Sequence, residues 1–307
     1  MAALTIDAAG LRKDYGTRTA VRDLTLQVGR GEAFGFLGPN GAGKSTSIKM
    51  LLGLVRPTSG QALLLGQPVG SRDVRSRIGF LPEHFRFYDW LSAAELVTLH
   101  GRLCGVPERD LRSRVPGLLE RVSLGSQYAK PIRSYSKGMM QRVGLAQAMV
   151  NEPEILFLDE PTSGLDPAGR KLVREIVREQ RDRGATVFLN SHLLGEVEQS
   201  CDRVAFIRRG EVVGMYEMGA WQKERTSAEI DATGISPAAL ALLELIEGVT
   251  VESHLGRQLN LRLAHENCLP EIVRLLVENG ASIYSVVPQR VSLEDLFLEL
   301  MGPDPGL

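Results

Sequence analysis

The sequence predicts an α/β fold, a wound sheet interrupted by a helical block, followed by a small α+β domain. Three observations carry this. After residue 159, helix-period segments (KLVREIVREQRDRG, LLGEVEQSC) alternate with short apolar runs (ATVFLN, RVAFIRRGEVV), the pattern of helices packed on a sheet. A glycine-rich stretch, GPNGAGKST, sits between the strand-like EAFGFL and the helix-like SIKMLLGLV. The C-terminal region reads strand AEIDA, helix SPAALALLELIE, strands VTVES and LNLRL, helix LPEIVRLLVENG, strand SIYSVV and a last helix SLEDLFLEL. That βαββαβ order predicts a ferredoxin-like domain.

In chain order, residues 4 to 37 alternate short apolar runs with Gly and charge and read as strands, and RPTSGQALLLG reads as a turn and a strand. Leu91 to about Val150 turns helical, with AAELVTLHGRL and QRVGLAQAMV carrying apolar residues three and four apart. EILFLDE then restores a buried strand, and the wound block ends near Trp221. The polar segment WQKERTSAE suits a linker. The expected domains are therefore 1–222, with a helical subdomain at about 84–150, and 223–307.

Composition excludes more than it assigns. At 307 residues, 43% apolar and 24% charged, the chain is an ordinary globular protein of about two domains. A net charge of −1 gives no electrostatic footprint for nucleic acid, and none is expected as a partner. Cys104, Cys201 and Cys268 are scattered, without zinc or redox spacing, and fit a reducing compartment. MAALTIDAAG lacks the basic and apolar regions of a secretory signal, and no window has the length of a membrane span. A cytosolic protein, meeting a membrane only through a partner, is expected. Aromatics make up only 6% of the chain, yet Phe85, Phe87, Tyr88 and Trp90 crowd into LPEHFRFYDW. Such a cluster calls for either a local core or a partner's surface.

GPNGAGKST fits GxxxxGK[ST] with Gly38, Gly43, Lys44 and Ser45, in the strand-to-helix context the motif requires. Its glycines let backbone N–H groups curl around phosphate oxygens, and the helix N-terminus adds its positive dipole end. The expected nucleotide-binding set is Gly38, Pro39, Asn40, Gly41, Ala42, Gly43, Lys44, Ser45 and Thr46, with Lys44 on the β- and γ-phosphates and Ser45 on Mg²⁺. ILFLDE ends a strand in two carboxylates. Neighbouring side chains on a strand point apart, but at its end Asp159 can serve the metal while the chain turn redirects Glu160 onto an attacking water.

Between these motifs stands YSKGMMQRVGLAQAM, and after them SGLD and NSH. Five motifs in this order, over roughly residues 4 to 225, resemble the ATP-binding subunit of ABC transporters. The resemblance implies a P-loop NTPase cassette, with a RecA-like core and helical subdomain, that hydrolyses ATP with Mg²⁺ between two head-to-tail copies. It implies that Tyr15 in KDYG stacks on adenine, that Ser136 and Gly138 face the γ-phosphate held by a second cassette, and that Asp166 couples the two sites. His192 contacts γ-phosphate, so the catalytic set becomes Lys44, Glu160 and His192. Two positions depart from the family pattern. YSKGM places Lys137 and Met139 where Gly and Gln often sit, and Glu83 replaces a glutamine that touches Mg²⁺ and water, so the resemblance puts Glu83 with Ser45 and Asp159 among the expected Mg²⁺ contacts and beside the nucleotide. Both departures, with the terminal VSLEDLFLEL, lean toward subunits of type-two exporters. The implied partners are a second cassette, as a homodimer, and integral membrane permease subunits docking near Glu83 to Trp90, which places the chain peripherally on the cytoplasmic membrane face. A soluble ABC ATPase acting on a ribosome or DNA is the alternative. It is disfavoured by the single cassette, the absence of a long coiled coil and the lack of basic charge.

Overall fold

The computed structural model describes residues 4–84, 86–219, 226–290 and 292–302. It divides into two compact units, one reaching Met215 and including Met301, the other running from Tyr216 to Leu300. The boundary expected between 222 and 223 falls in 220–225, outside the described residues, as does Phe85.

The first unit opens with β1 (Leu4–Tyr15), β2 (Arg18–Gly29) and β3 (Ala33–Leu37), followed by α1 (Lys44–Leu51), β4 (Ser59–Leu64), β5 (Gln67–Pro68), α2 (Arg72–Ser76) and β6 (Ile78–Leu81). The helical block contributes α3 (Ala93–Leu103), α4 (Glu108–Arg121) and α5 (Lys137–Met149). The wound part follows with β7 (Ile155–Asp159), α6 (Pro167–Asp182), β8 (Thr186–Asn190), α7 (Leu194–Ser200), β9 (Arg203–Arg208) and β10 (Glu211–Glu217). Ten strands form one sheet in the order β5-β4-β1-β2-β10-β9-β3-β8-β7-β6. RVAFIRRGEVV, read as one strand, is instead two. Arg209 (φ 50°) and Gly210 (φ 83°) both take positive φ, as a two-residue type I′ hairpin turn requires, and split it into β9 and β10.

The centre of the sheet is parallel because each strand returns through a helix: β3 pairs with β8 and β9, and β7 with β8 and β6. Strands covered on both faces should be continuously apolar, and β3 and the apolar residues of β7 and β8 are buried throughout. Phe34, Phe36 and Phe157 each pack a ring on Phe188, with centroids 5.3–5.7 Å apart. Such pairs add about 0.5–1.5 kcal/mol each beyond area burial. They fix the central strands side by side, so the loops at the strand ends hang from a rigid frame.

The helical block is stopped and started by local chemistry. Ser92 caps α3 in a reciprocal capping box with Glu95, and Ser136 caps α5 by accepting from Met139 N–H. The second unit holds a four-stranded antiparallel sheet, Val249–Leu255, Gln258–Leu263, Thr226–Thr233 and Ser282–Arg290 in spatial order. Helices Pro237–Leu243 and Leu269–Glu278 complete the split βαβ arrangement, and Leu293–Met301 follows it. Its own core includes Ile230, Leu259, Leu261, Ile272 and Leu276.

Gly79 in β6 lies so close to α5 that a Cβ would strike the Ala148 carbonyl. Backbone cannot yield as a side chain would, so Gly79→Ala should destabilise the first unit by about 1–3 kcal/mol, read as a lower midpoint in urea unfolding.

Candidate functional site

The phosphate loop, residues 38–46, joins β3 to α1 and is braced from behind. A Cβ on Gly38 would fall on the Ile207 carbonyl, and one on Gly43 (φ 107°) would lie 2.6 Å from Ala20 O. Only glycine lets the loop approach β2 and β9 this closely. Gly210, in the β9–β10 turn, donates to Ala42 O at 2.9 Å and accepts from Arg22 N–H at 2.8 Å, tying the loop to the sheet. Lys44 is buried, its Nζ donating to Gly38 O (2.6 Å) and Pro39 O (3.1 Å). Burial pushes its ammonium below the usual lysine range, while Glu160, Asp159 and Glu83 pull it back up.

Asp159 ends β7 opposite Asn190, which ends β8, and the Asn190 amide donates to its carboxylate. Asp159 is held above the usual carboxylate range, first by burial and further by Glu83, against the Asn190 hydrogen bond and the charges of Lys44 and Lys49. Glu160 leaves the strand with φ 53°, a left-handed backbone uncommon in non-glycine residues. That turn sends the second carboxylate out of the strand's alternation. Its backbone is pinned on both sides, with Glu160 N–H donating to Asn190 O (2.8 Å) and Gln141 Nε2 donating to Glu160 O (3.2 Å) and Pro161 O (3.0 Å). The carboxylate then meets His192 Nδ1 at 2.6 Å. Burial raises the Glu160 pKa, opposed by His192 and then Lys44. The carboxylate is buried, yet the His192 ring is 61% exposed. The pair thus runs from the interior to the surface.

The structure brings together the phosphate loop, Asp159, Glu160 and His192, and sets Glu83 close enough to act on Lys44 and Asp159 by charge. Glu83 itself is half-exposed. Ser136 and Gly138 lie at the N-terminal end of α5, where Gly138 neighbours Leu165 and Gly164, and Lys137 reaches Ser163 Oγ at 3.5 Å. Asp166 caps α6 by accepting from Gly169 N–H (2.8 Å). Tyr15 closes β1, half-exposed, with Lys13 Nζ 5.0 Å from its ring centroid. Tyr15, Ser136 and Asp166 are exposed at the ends of elements and Gly138 is partly buried beside them in the first turn of α5. Sequence reasoning missed Asn190 and Gln141. The available signals were an amide ending an apolar strand and a buried amide in QRVGLAQ.

Among the described residues, no three His, Cys, Asp or Glu side chains converge as a metal cage. A small hard cation that keeps its waters and shares its shell with phosphates needs fewer protein ligands. Ser45, next to Lys44 in α1, and Asp159, whose ionisation burial opposes, supply a hydroxyl and a carboxylate that fit such an ion.

A strand, a glycine loop whose lysine is buried beside two acids, and a helical insert whose first turn packs on the loop after those acids define a nucleotide-binding cassette. The family model described as ABC transporter matches residues 21–163. Over the full length, the chain is 38% identical to the daunorubicin resistance ATP-binding protein DrrA3 of Streptomyces coeruleorubidus, covering 98% of this chain and 96% of that one. It is 41% identical to the Nod factor export ATP-binding protein I of Bradyrhizobium diazoefficiens, covering 98% of each. It is also 48% identical over 196 residues to an ABC transporter ATP-binding protein of Synechocystis, where the match spans 63% of this chain and 55% of that one. A solved ATP-binding subunit of an ABC transporter superposes with TM-score 0.67 at 30% identity, over 71% of this chain and 92% of that one. The chain belongs to the family of ABC transporter ATP-binding subunits, whose cassettes are ATPases that power transport.

Because the folded pKa of Asp159 is raised, its ionisation costs stability above that pKa. The cost disappears below the ordinary carboxylate value of about 4. With chelator present, Asp159→Asn should therefore raise the thermal midpoint at pH 8. The gain should shrink as pH falls through the raised pKa, as scanning calorimetry across pH would show.

Proposed function

We propose that this chain is the ATP-hydrolysing subunit of an exporter, binding Mg-ATP between two head-to-tail copies and driving separate membrane subunits. The observation that carries this reading is the 2.6 Å contact between Glu160 and His192 beside the buried Lys44 and Asp159. Phosphoryl transfer to water demands charge neutralisation and alignment more than covalent chemistry. Lys44 carries fixed positive charge to the β- and γ-phosphates. Glu160, held above the usual carboxylate range by burial, is a better proton acceptor than a solvated glutamate and orients the attacking water. His192 meets Glu160 through Nδ1, and the other ring nitrogen is the one that would contact the γ-phosphate. Ser45 and Asp159 hold Mg²⁺, which supplies charge neutralisation at the phosphates, and Glu83 adds a carboxylate to the same neighbourhood.

Ser136 and Gly138, at the start of α5, offer a hydroxyl, backbone amides and a helix N-terminus to the nucleotide of a second copy, and Asp166 links the two sites. Tyr15 supplies the stacking face for adenine. Closed and open pairs bind ATP with different affinity, and this difference is the only source of work that binding can supply. The membrane subunits dock at a groove of ≈ 300 Å³ lined by Phe80, Pro82, Phe87, Tyr88, Leu96 and Leu99. Tyr88, which lines the groove, packs against Trp90 in a tilted pair with centroids 5.2 Å apart, and the two are 54% and 67% exposed, which an isolated surface gains little by showing. Attachment to the cytoplasmic face runs through those subunits. Among the described residues no helix is long and apolar enough to cross a membrane. The full-length similarity to antibiotic-resistance and Nod-factor export ATP-binding proteins supports export as the direction.

Glu160→Gln should lower ATP turnover roughly 100-fold or more while leaving ATP binding within a few-fold of the parent; turnover at the parental rate would remove Glu160 from its role. Tyr88→Ser and Trp90→Ser should abolish transport by the assembled complex with ATP affinity and melting temperature unchanged, and a protein that merely melts earlier would assign these rings to packing instead.

A further inference from the structure

Behind the Glu160–His192 contact lies a cluster that the phosphate chemistry does not use. Arg174, in the second turn of α6, donates from Nη1 to Glu196 Oε2 in α7 at 2.5 Å. Both side chains are largely buried, 26% and 15% exposed. Glu196 stands four residues after His192, and α6 starts from Asp166, six residues after Glu160. The ion pair therefore joins the element that continues the glutamate's loop to the element that continues the histidine's loop. Beside it is a cavity of ≈ 10 Å³ lined by Thr162, Arg174, Leu189, Ser191, Glu196 and Ser200. A single water needs a space of about 10–15 Å³ for itself, so the cavity admits one. The Thr162 hydroxyl, 3% exposed, is a buried polar atom with no hydrogen-bond partner among the described residues. Ser191 is equally buried, and its Oγ accepts from Leu193 N–H (3.1 Å), which leaves its own O–H to donate.

We infer that Arg174, Glu196, Thr162 and Ser191, with one internal water, form a positioning cluster that holds His192 against Glu160. The water satisfies the Thr162 hydroxyl and joins it to Ser191 and the ion pair, as buried waters do when two to four polar partners surround them. Thr162 lies two residues after Glu160 and Ser191 one residue before His192, so the cluster fixes the base of each loop while their tips do the chemistry. Other anchors hold the far end of α7, where Asp202 accepts from Arg181 of α6 and from Ala33 N–H. The α7 helix is only seven residues long, its N-terminus has no side-chain cap, and its buried residue is Val197, packed against Gly35. Val197 sets how deep α7 sits. The Arg174–Glu196 pair sets its rotation, and with it the direction of the histidine.

This inference rests on the hydrolytic reading of the site, and two measurements on the full-length chain separate them. Glu196→Gln and Arg174→Met should each lower kcat for ATP roughly 10- to 100-fold with KM within about twofold of the parent, since misplacing a catalytic group costs rate rather than binding. Arg174→Lys should recover part of the loss, and Thr162→Val, which removes the hydroxyl at nearly constant volume, should lower kcat less than either. In parallel, the ¹⁵N resonance of His192 Nδ1 should shift in Glu196→Gln toward that of Glu160→Gln, in protein whose melting temperature matches the parent. Parental kcat and an unmoved His192 resonance in Glu196→Gln would overturn the positioning role. A parental chain that does not turn over ATP would overturn the hydrolytic reading, and the resonance would still decide whether the cluster orients His192.

Discussion

Lys44 and the carboxyl groups of Asp159 and Glu160 are held close together where water cannot solvate them well. Burial acts against the charge of all three, lowering the lysine's proton affinity and raising that of the acids; Glu160 and Asp159 offset it for Lys44, the Asn190 amide and then Lys44 for Asp159, and His192 and then Lys44 for Glu160. Such an arrangement is costly unless the partners are fixed, because a buried charge that drifts from its counter-charge loses its compensation. Much of the first unit can be read as the means of fixing them. The Phe34, Phe36, Phe157 and Phe188 rings lock β3, β7 and β8, and the ends of those three strands carry the phosphate loop, the two acids and Asn190.

Backbone geometry completes what packing begins. At Gly38 and Gly43 the absence of a side chain lets the phosphate loop rest on the carbonyls of Ile207 and Ala20. At Glu160 the chain adopts a left-handed turn that a β-carbon disfavours, and the bonds from Asn190, Gln141 and His192 hold it there. Local strain of this kind persists only where surrounding contacts over-determine it. Here the strained residue is the one whose carboxylate must leave the direction of its strand.

The site is rigid within and open without. Lys44, Asp159 and Glu160 are buried, whereas the His192 ring, Tyr15, Ser136 and Asp166 lie exposed at the ends of elements. A phosphate-binding loop backed by a packed sheet can bind without rearranging, which reduces the entropic cost of association. The exposed groups suit a surface completed by a nucleotide and a second molecule. Because α5 is bonded through Gln141 to the backbone of Glu160 and Pro161, a displacement of the helical block reaches Glu160 through two hydrogen bonds.

The sequence by itself determined the family, the phosphate loop, the acidic strand end and the order of elements. Each of those is written in contiguous residues: a glycine spacing between a strand and a helix, an apolar run ending in Asp-Glu, a periodicity that switches from two to 3.6. Only the tertiary structure decided that Asn190 holds Asp159, that Gln141 grips the backbone of Glu160, that Arg174 reaches Glu196, and that RVAFIRRGEVV is a hairpin. The first three join residues 19 to 31 positions apart through parallel register and helix packing, which no local pattern encodes. The hairpin turns on two positive φ angles, one of them at an arginine whose identity does not announce it. Glu83 stands between these cases. Its position in LPE was legible as a departure from a family pattern, but its influence on Lys44 and Asp159 is a matter of distance across a shared, poorly solvated space, and distance is what folding supplies.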